Sequence, residues 1–193
     1  AFQYPVSDWQ AAVFDEVMAA ASQPMILDCG CGTGMSSTLL AEQFPDHDVL
    51  GIDQSLHRLS RHKVFQRRQH EHVGQAGNLF LVRADVVSWW LMLAKTQKQV
   101  ARAYFFYPNP WPKGKHLQRR WHGHAVWPLI CGQADFIEMR TNWLLYAQEW
   151  QQALRWCDRQ PDFSLLEDAL PCSLFERKYQ QADVDYYRVC SNS

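Results

Sequence analysis

The sequence predicts a doubly wound α/β fold, a mostly parallel sheet of seven strands with helices on both faces. Three observations predict it. Short apolar runs alternate with longer helical stretches from end to end. The first apolar run opens directly into a loop with glycine at alternate positions, Gly30-Cys31-Gly32-Thr33-Gly34. Each of the first three predicted strands has an aspartate at or just beyond its carboxyl end: Asp28 before the glycines, Asp53 and Asp85.

The elements follow in order. Residues 7–21 read as a helix with Ser7 or Asp8 as N-cap, and Pro24 ends that unit. Met25–Cys29 is a buried strand, Gly34–Phe44 a helix closed by Pro45, and Asp48–Ile52 a second strand. A polar, basic helix spans Ser55–His72, a third strand Asn78–Val82, and a third helix Val86–Lys95. Val100–Tyr107 is a fourth strand, aromatic at its end, and a proline-rich basic loop follows at Pro108–His116. Residues 118–131 are expected to form a helix that Pro128 kinks or splits. Ala134–Arg140 is a fifth strand and Asn142–Asp158 a fifth helix, with two further strands near Phe163–Leu166 and Asp185–Cys190. In such sheets ligands bind beyond the carboxyl ends of the strands, near the point where strand order reverses. The loops after Cys29, Ile52, Val82, Tyr107 and Arg140 should therefore share one rim.

The 193 residues suit one domain, 1–193, with a sizeable core, and 47% hydrophobic with 20% charged residues is ordinary for a globular protein. Nine Trp are expected mainly in that core. A formal net charge of −1 gives no global basic footprint of the kind nucleic-acid binders carry. The distribution is more telling. One basic run holds Arg58, Arg61, Lys63, Arg67 and Arg68; a second holds Lys113, Lys115, Arg119 and Arg120. The six Cys form no C-x-x-C pair, and no Cys/His set has zinc spacing, so reduced thiols and no metal are expected. No stretch reads as a signal peptide or membrane span, and a cytoplasmic setting follows as an expectation.

The glycine spacing is G-x-G-x-G rather than the dinucleotide spacing G-x-G-x-x-G, which argues against a nicotinamide enzyme. Gly30, Gly32 and Gly34 let the backbone turn sharply and approach a ligand closely. Asp28 before them can take up a positively charged amino group, directly or through water, and would repel a pyrophosphate. Asp53 can hold both ribose hydroxyls, and Asp85 is placed to accept from an adenine amino group. The plainer reading of each aspartate is a helix cap.

This set resembles the class I S-adenosylmethionine-dependent methyltransferases, with their Rossmann-like sheet, across a cofactor-binding core at about residues 24–145. The stretch from Tyr107 through Pro108-Asn109-Pro110-Trp111-Pro112-Lys113 to Arg120 is the most specific in the chain. It resembles the loop signature of the tRNA (guanine-N7-)-methyltransferase family. Thr141-Asn142-Trp143 with Tyr146, and Ser173-Leu174-Phe175-Glu176-Arg177, resemble two further family marks in the same order.

The resemblance implies S-adenosylmethionine as cofactor and N7 of a guanine in tRNA as target, in a monomer or homodimer. It implies cofactor contacts at Asp28, Asp53, Asp85 and Asn109, with Asn109 also at the catalytic position. It implies substrate contacts at Lys113, Asn142, Ser173 and Glu176, on elements at 108–124 and 171–180. Lys115, Arg119 and Arg120 are expected on the RNA backbone. The family has Asp where Asn109 and Asn142 stand, and Thr at Ser173. Guanine presents N1–H and its 2-amino group as adjacent donors, and a carboxamide offers them one oxygen where a carboxylate offers two. Two alternatives stay open: a different target such as an exocyclic amine, or a chain that binds cofactor and RNA without catalysis.

Overall fold

The computed structural model describes residues 4–68, 71–96, 98–166, 176–178, 182 and 184–193. Helix α1 (Asp8–Ala20) leads into β1 (Met25–Cys29), α2 (Met35–Gln43) and β2 (Asp48–Asp53). Two short helices, α3 (Leu56–Leu59) and α4 (Lys63–Gln66), precede β3 (Val73–Ala76), β4 (Leu79–Arg83) and α5 (Val86–Leu93). Then come β5 (Val100–Phe106), α6 (Trp127–Gln133), β6 (Ala134–Thr141), α7 (Leu144–Arg155), β7 (Asp162–Leu165) and β8 (Tyr187–Asn192).

The strands form one eight-stranded sheet in the order β3-β4-β2-β1-β5-β6-β8-β7. The five central strands run parallel, while β3, β7 and β8 are antiparallel to their neighbours. The chain winds outward from β1 to β2 and β4, then returns to β5 on the other side. The switch point therefore lies between β1 and β5.

Each face of the sheet carries its own core. On one face α1, α5, α6 and α7 bury Trp89, Trp90, Trp127 and Trp150 against β5 and β6. Trp150 packs edge-on to Trp127 at 4.6 Å and against Phe105 at 5.2 Å. On the other face α2, α3 and α4 bury Leu40, Leu59 and Phe65 over β1, β2 and β4. These four Trp serve packing, as expected, whereas Trp143 and Trp156 stay exposed.

Three local expectations are corrected. The eighth strand is β3, joined to β4 by the two-residue turn Gly77-Asn78, with Gly77 at φ +58°. The Asn78 side-chain amide donates to the carbonyls of Ala41, Phe44 and His47 and ties that turn to the end of α2. The single helix expected over Ser55–His72 is two four-residue helices, each started by its own cap. Ser55 Oγ accepts from the Arg58 amide and His62 Nδ1 from the Val64 amide. The segment expected to be a kinked helix over 118–131 is two 3-10 turns, Gly114–Arg119 and Trp121–Gly123, followed by α6. Pro128 lies in the first turn of α6, where a missing N–H costs nothing, so it starts a helix instead of kinking one.

Candidate active site

The loops after β1, β2, β5 and β6 meet at the carboxyl rim beside the switch point. They enclose a cavity of about 550 Å³, within the ~300–1,000 Å³ usual for small-molecule sites. Its walls are the Gly30–Thr33 backbone, Ser36, Arg58, the Phe106–Pro110 segment and Thr141–Asn142.

The glycine loop is held to β2, since the amides of Gly30 and Cys31 both donate to the Ile52 carbonyl, at 2.8 and 3.1 Å. Gly30 and Gly32 have φ of +83° and +61°, and a Cβ at either would meet nothing within 4 Å. Their backbone thus faces open space, as a cradle for a ligand requires. Gly34 differs: its φ is +78°, and a Cβ there would lie 2.9 Å from a Leu81 methyl. Gly34 serves the close packing of the loop on β4.

The three aspartates have separate surroundings. Asp28 is 1% exposed, and its Oδ2 accepts from the hydroxyls of Ser36 at 2.5 Å and Ser37 at 2.7 Å. Burial raises its pKa to about 6, against the lowering effect of those two donors. Asp28 reaches the cavity through Ser36, which lines it. Asp53 is 3% exposed: its Oδ2 accepts from the Gly32 amide at 2.9 Å and its Oδ1 from the Ser55 amide at 2.8 Å. The Arg58 guanidinium adds a third contact at 3.0 Å. A carboxylate has about four acceptor positions, so Asp53 retains one and gains another if Arg58 moves aside.

Asp85 lies in a separate cavity of about 320 Å³, lined also by Tyr4, Trp9, Gln10, Gln54 and Ala84. It caps α5 through Oδ1, which accepts from the Ser88 amide and hydroxyl at 2.8 and 3.1 Å. Its Oδ2 accepts from the Gln54 side chain. The cap reading holds at this residue through Oδ1, and Oδ2 is the oxygen directed to Gln54.

The proline-rich loop is held in an unusual shape. Tyr107 and Trp111 have φ of +53° and +43°, and each precedes a proline. Non-glycine residues in this region cost on the order of 1–3 kcal/mol each and persist only where surroundings impose them. Arg120 imposes part of it. Its Nε donates to the Pro110 carbonyl at 2.7 Å, and one Nη reaches the Trp111 carbonyl at 3.4 Å. Its other Nη pairs with Glu149 of α7. Arg120 is 3% exposed, with its guanidinium 5.6 Å from the Tyr146 ring centre. This corrects the expectation that Arg120 meets the RNA backbone: its donors already serve two carbonyls and a carboxylate.

Asn109 is exposed in this loop and lines the large cavity, with the Trp111 amide donating to its Oδ1 at 3.0 Å. Asn142 lines the same cavity from the other side. Lys113 and Lys115 are exposed, and so is Arg119, whose guanidinium lies 4.9 Å from the Trp111 ring centre. Glu176 is fully buried and its carboxylate pairs with Arg140 of β6 at 3.0 Å. Ser173 lies outside the described residues. Arg58 was missed as a wall of the cavity. Its place in a basic run five residues past Asp53 was visible, but the fold of α3 back over the rim was not.

A family model described as "Putative methyltransferase" (Methyltransf_4) matches residues 22–188. A tRNA (guanine-N(7)-)-methyltransferase of Nocardioides sp. is 32% identical over 172 residues, 81% of this chain and 62% of that protein. Proteins of the same name from Leifsonia xyli and Neisseria gonorrhoeae are each 27% identical over 89% of this chain, and the chain spans 77% and 73% of their lengths. Among solved structures, an antibiotic-related methyltransferase superposes with a TM-score of 0.64 at 15% identity, covering 100% of this chain and 97% of that one. A 16S rRNA (adenine-N1)-methyltransferase from Catenulisporales acidiphilia gives 0.61 at 16% identity, covering 100% and 93%. At such identities these two speak for the fold alone.

Proposed function

The chain belongs to the Methyltransf_4 family of methyltransferases, and from that premise we propose that it methylates N7 of a guanine in tRNA, using S-adenosylmethionine. One observation carries the reading. The glycine cradle, Asn109 and Asn142 line one cavity, Asp53 stands behind it holding Gly32 and Arg58, and the loop that carries Asn109 continues into the exposed cations Lys113, Lys115 and Arg119.

The residues present fit the cofactor. Open space lies over Gly30 and Gly32, and a nearly buried carboxylate with acceptor capacity to spare stands beside them. In this reading Asp53 receives a ribose hydroxyl, and the Asp85 cavity takes the adenine end. Asp28 orients Ser36 toward the amino-acid end. When bound, S-adenosylmethionine supplies an electrophilic methyl on a sulfonium, and guanine N7 offers a lone pair that needs no deprotonation.

The task left to the chain is positioning and exclusion of water, which can supply much of the rate. Asn109 and Asn142 flank the place of the target base from β5 and β6. Lys113 stands at the lip to contact the substrate, and Lys115 and Arg119 neutralise flanking phosphates. Incubation with methyl-labelled cofactor and bulk tRNA, followed by nucleoside analysis, tests the reading. Label in 7-methylguanosine supports it. Label in an N-methylated exocyclic amine would move the target, and robust methylation of a small molecule or protein with no affinity for tRNA would remove the RNA reading.

A further inference from the structure

Of the first basic run only Arg58 has a place in the site as built so far. Between Gln54 and Arg68 the chain carries five Arg and Lys side chains and no carboxylate, within a protein whose net charge is −1. A solvated helix face could look the same in sequence. The structure adds two facts. The run does not form a long surface helix; it folds as α3 and α4, with Arg58 lining the large cavity beside the glycine loop, His62 near Gly34 and α4 packed on β3. It also builds one wall of a separate cavity of about 430 Å³, whose other wall is α2 and the loop before it.

That cavity has a definite chemistry. Met35 and Leu39 offer apolar surface, with Leu39 exposed on α2. Arg61 stands on the opposite wall and is exposed, and Thr38 and His62 meet between them, Oγ1 to Nε2 at 3.0 Å. Burial lowers the His62 pKa, which keeps that imidazole a neutral hydrogen-bonding group near neutral pH. Thr33 and Met35 line both this cavity and the large one, so the two adjoin along one edge. Lys63 and Arg67 continue outward as exposed cations.

Proteins hold single-stranded nucleic acid with a cationic groove beside surfaces on which bases rest; aromatic rings usually supply those surfaces, and here Met35 and Leu39 would. We propose that the cavity between α2 and α3–α4 is a subsite for an RNA nucleotide flanking the methylated guanine. Its base rests on Met35 and Leu39, and the adjoining backbone phosphates meet Arg61, Lys63 and Arg67. The proposal rests on the tRNA reading above and extends it. The RNA then runs across the rim between two basic lips, Lys113–Arg119 on the β5 side and Arg61–Arg67 on the β2 side, with the target cavity between them.

The test is tRNA binding at several salt concentrations by the full chain, with cofactor affinity measured by calorimetry as a check on folding. The triple variant Arg61→Ala, Lys63→Ala, Arg67→Ala should bind tRNA at least tenfold more weakly. Its slope of log affinity against log salt should shrink by about 2, from roughly 0.7 per single-strand phosphate contact. Leu39→Glu, which places a carboxylate beside the proposed base without adding a cation contact, should also weaken binding. A charge-removal control on the opposite face of the sheet, Arg155→Ala, should change neither quantity. If the wild type binds tRNA and the triple variant matches it in affinity and salt slope, the subsite is refuted while the tRNA reading stands. If the wild type itself shows no affinity for tRNA, the tRNA reading fails and the subsite with it.

Discussion

Arg120 is the residue at which a sequence-level role and the structure part most clearly, and the two make opposite forecasts. As a phosphate contact, Arg120→Ala should leave the fold intact and reduce the salt slope of tRNA binding by about 1. As a clamp on the Pro108–Pro112 loop, it should destabilise the protein. The magnitude can be worked from its contacts. The hydrogen bond to the Pro110 carbonyl and the pair with Glu149 are both charge-assisted, worth about 1.5–3 kcal/mol each in buried settings. The 3.4 Å approach to Trp111 adds little. Glu149 is 31% exposed and regains water when its partner goes, so the sum is discounted to ~3 kcal/mol.

For a chain of this length that corresponds to a fall in Tm of roughly 6–12 °C. Thermal unfolding followed by circular dichroism reads it directly. Arg120→Lys sharpens the choice. A lysine keeps the charge that a phosphate wants, but its three donors share one nitrogen and cannot span Pro110 and Glu149 as the fork of a guanidinium does. The clamp therefore predicts that Lys rescues less than half of the lost stability, and that kcat stays depressed because Tyr107 and Trp111 are no longer held. A wild-type Tm in Arg120→Ala together with a flattened salt slope would refute the clamp and restore the phosphate role.

The other predictions follow from single environments. Asp53→Ala should weaken S-adenosylmethionine binding at least tenfold, about 1.4 kcal/mol, since its carboxylate stands beside the glycine loop and holds the Gly32 amide; unchanged affinity in calorimetry would remove Asp53 from the site. His122 has a pKa lowered to about 4, chiefly by burial and against the pull of Glu149. Because the unfolded chain binds that proton near pH 6.5, its stabilising share is complete above that value and is lost as pH falls toward 4, up to about 3 kcal/mol. Asp28, raised to about 6, acts in the opposite sense, so the informative measure is the stability difference between wild type and His122→Gln from pH 7 to 4.5, which should shift by at least half that amount; a flat difference would show His122 uninvolved. Restoring carboxylates with Asn109→Asp and Asn142→Asp should raise 7-methylguanosine formation about tenfold if one buried acceptor is worth ~1.4 kcal/mol; no gain from either variant or the pair would show that neither amide limits the reaction.

Much of this architecture is legible in sequence because it is local. The central strands are apolar runs bounded by Gly, Pro and Asp, and their burial is near complete, as in β1 and β2. The glycine loop and Asp53 were legible because backbone turn and side-chain chemistry coincide within one loop. β3 was not, because Val73-Gly74-Gln75-Ala76 has one large apolar residue and pairs with β4 through a short turn. Gly74 is there for a tertiary reason: a Cβ would lie 2.7 Å from the Phe65 Cα of α4. The fate of Arg120 was hidden for a similar reason. Its partner Glu149 is 29 residues away, and a basic run shows no difference between a cation that faces water and one that faces a carboxylate brought in by the fold.

The clamped loop and the two amides bear on one question, which is what this site needs to keep. Transfer to a ring nitrogen with a free lone pair calls for alignment more than for a base, and alignment comes from a loop that cannot relax. Tyr107 and Trp111 sit in left-handed conformations before prolines, and prolines at 108, 110 and 112 remove most alternatives. Asn109 completes this shape, since its Oδ1 accepts from the Trp111 amide. An aspartate would close the same turn with one oxygen and keep the other for a base donor. Asn109 therefore preserves the geometry of the loop while giving up acceptor capacity toward guanine. In the proposed function, shape and recognition are separable at this residue: alignment of the methyl acceptor would rest on the clamped backbone, and selectivity for guanine on what accepts its two donors.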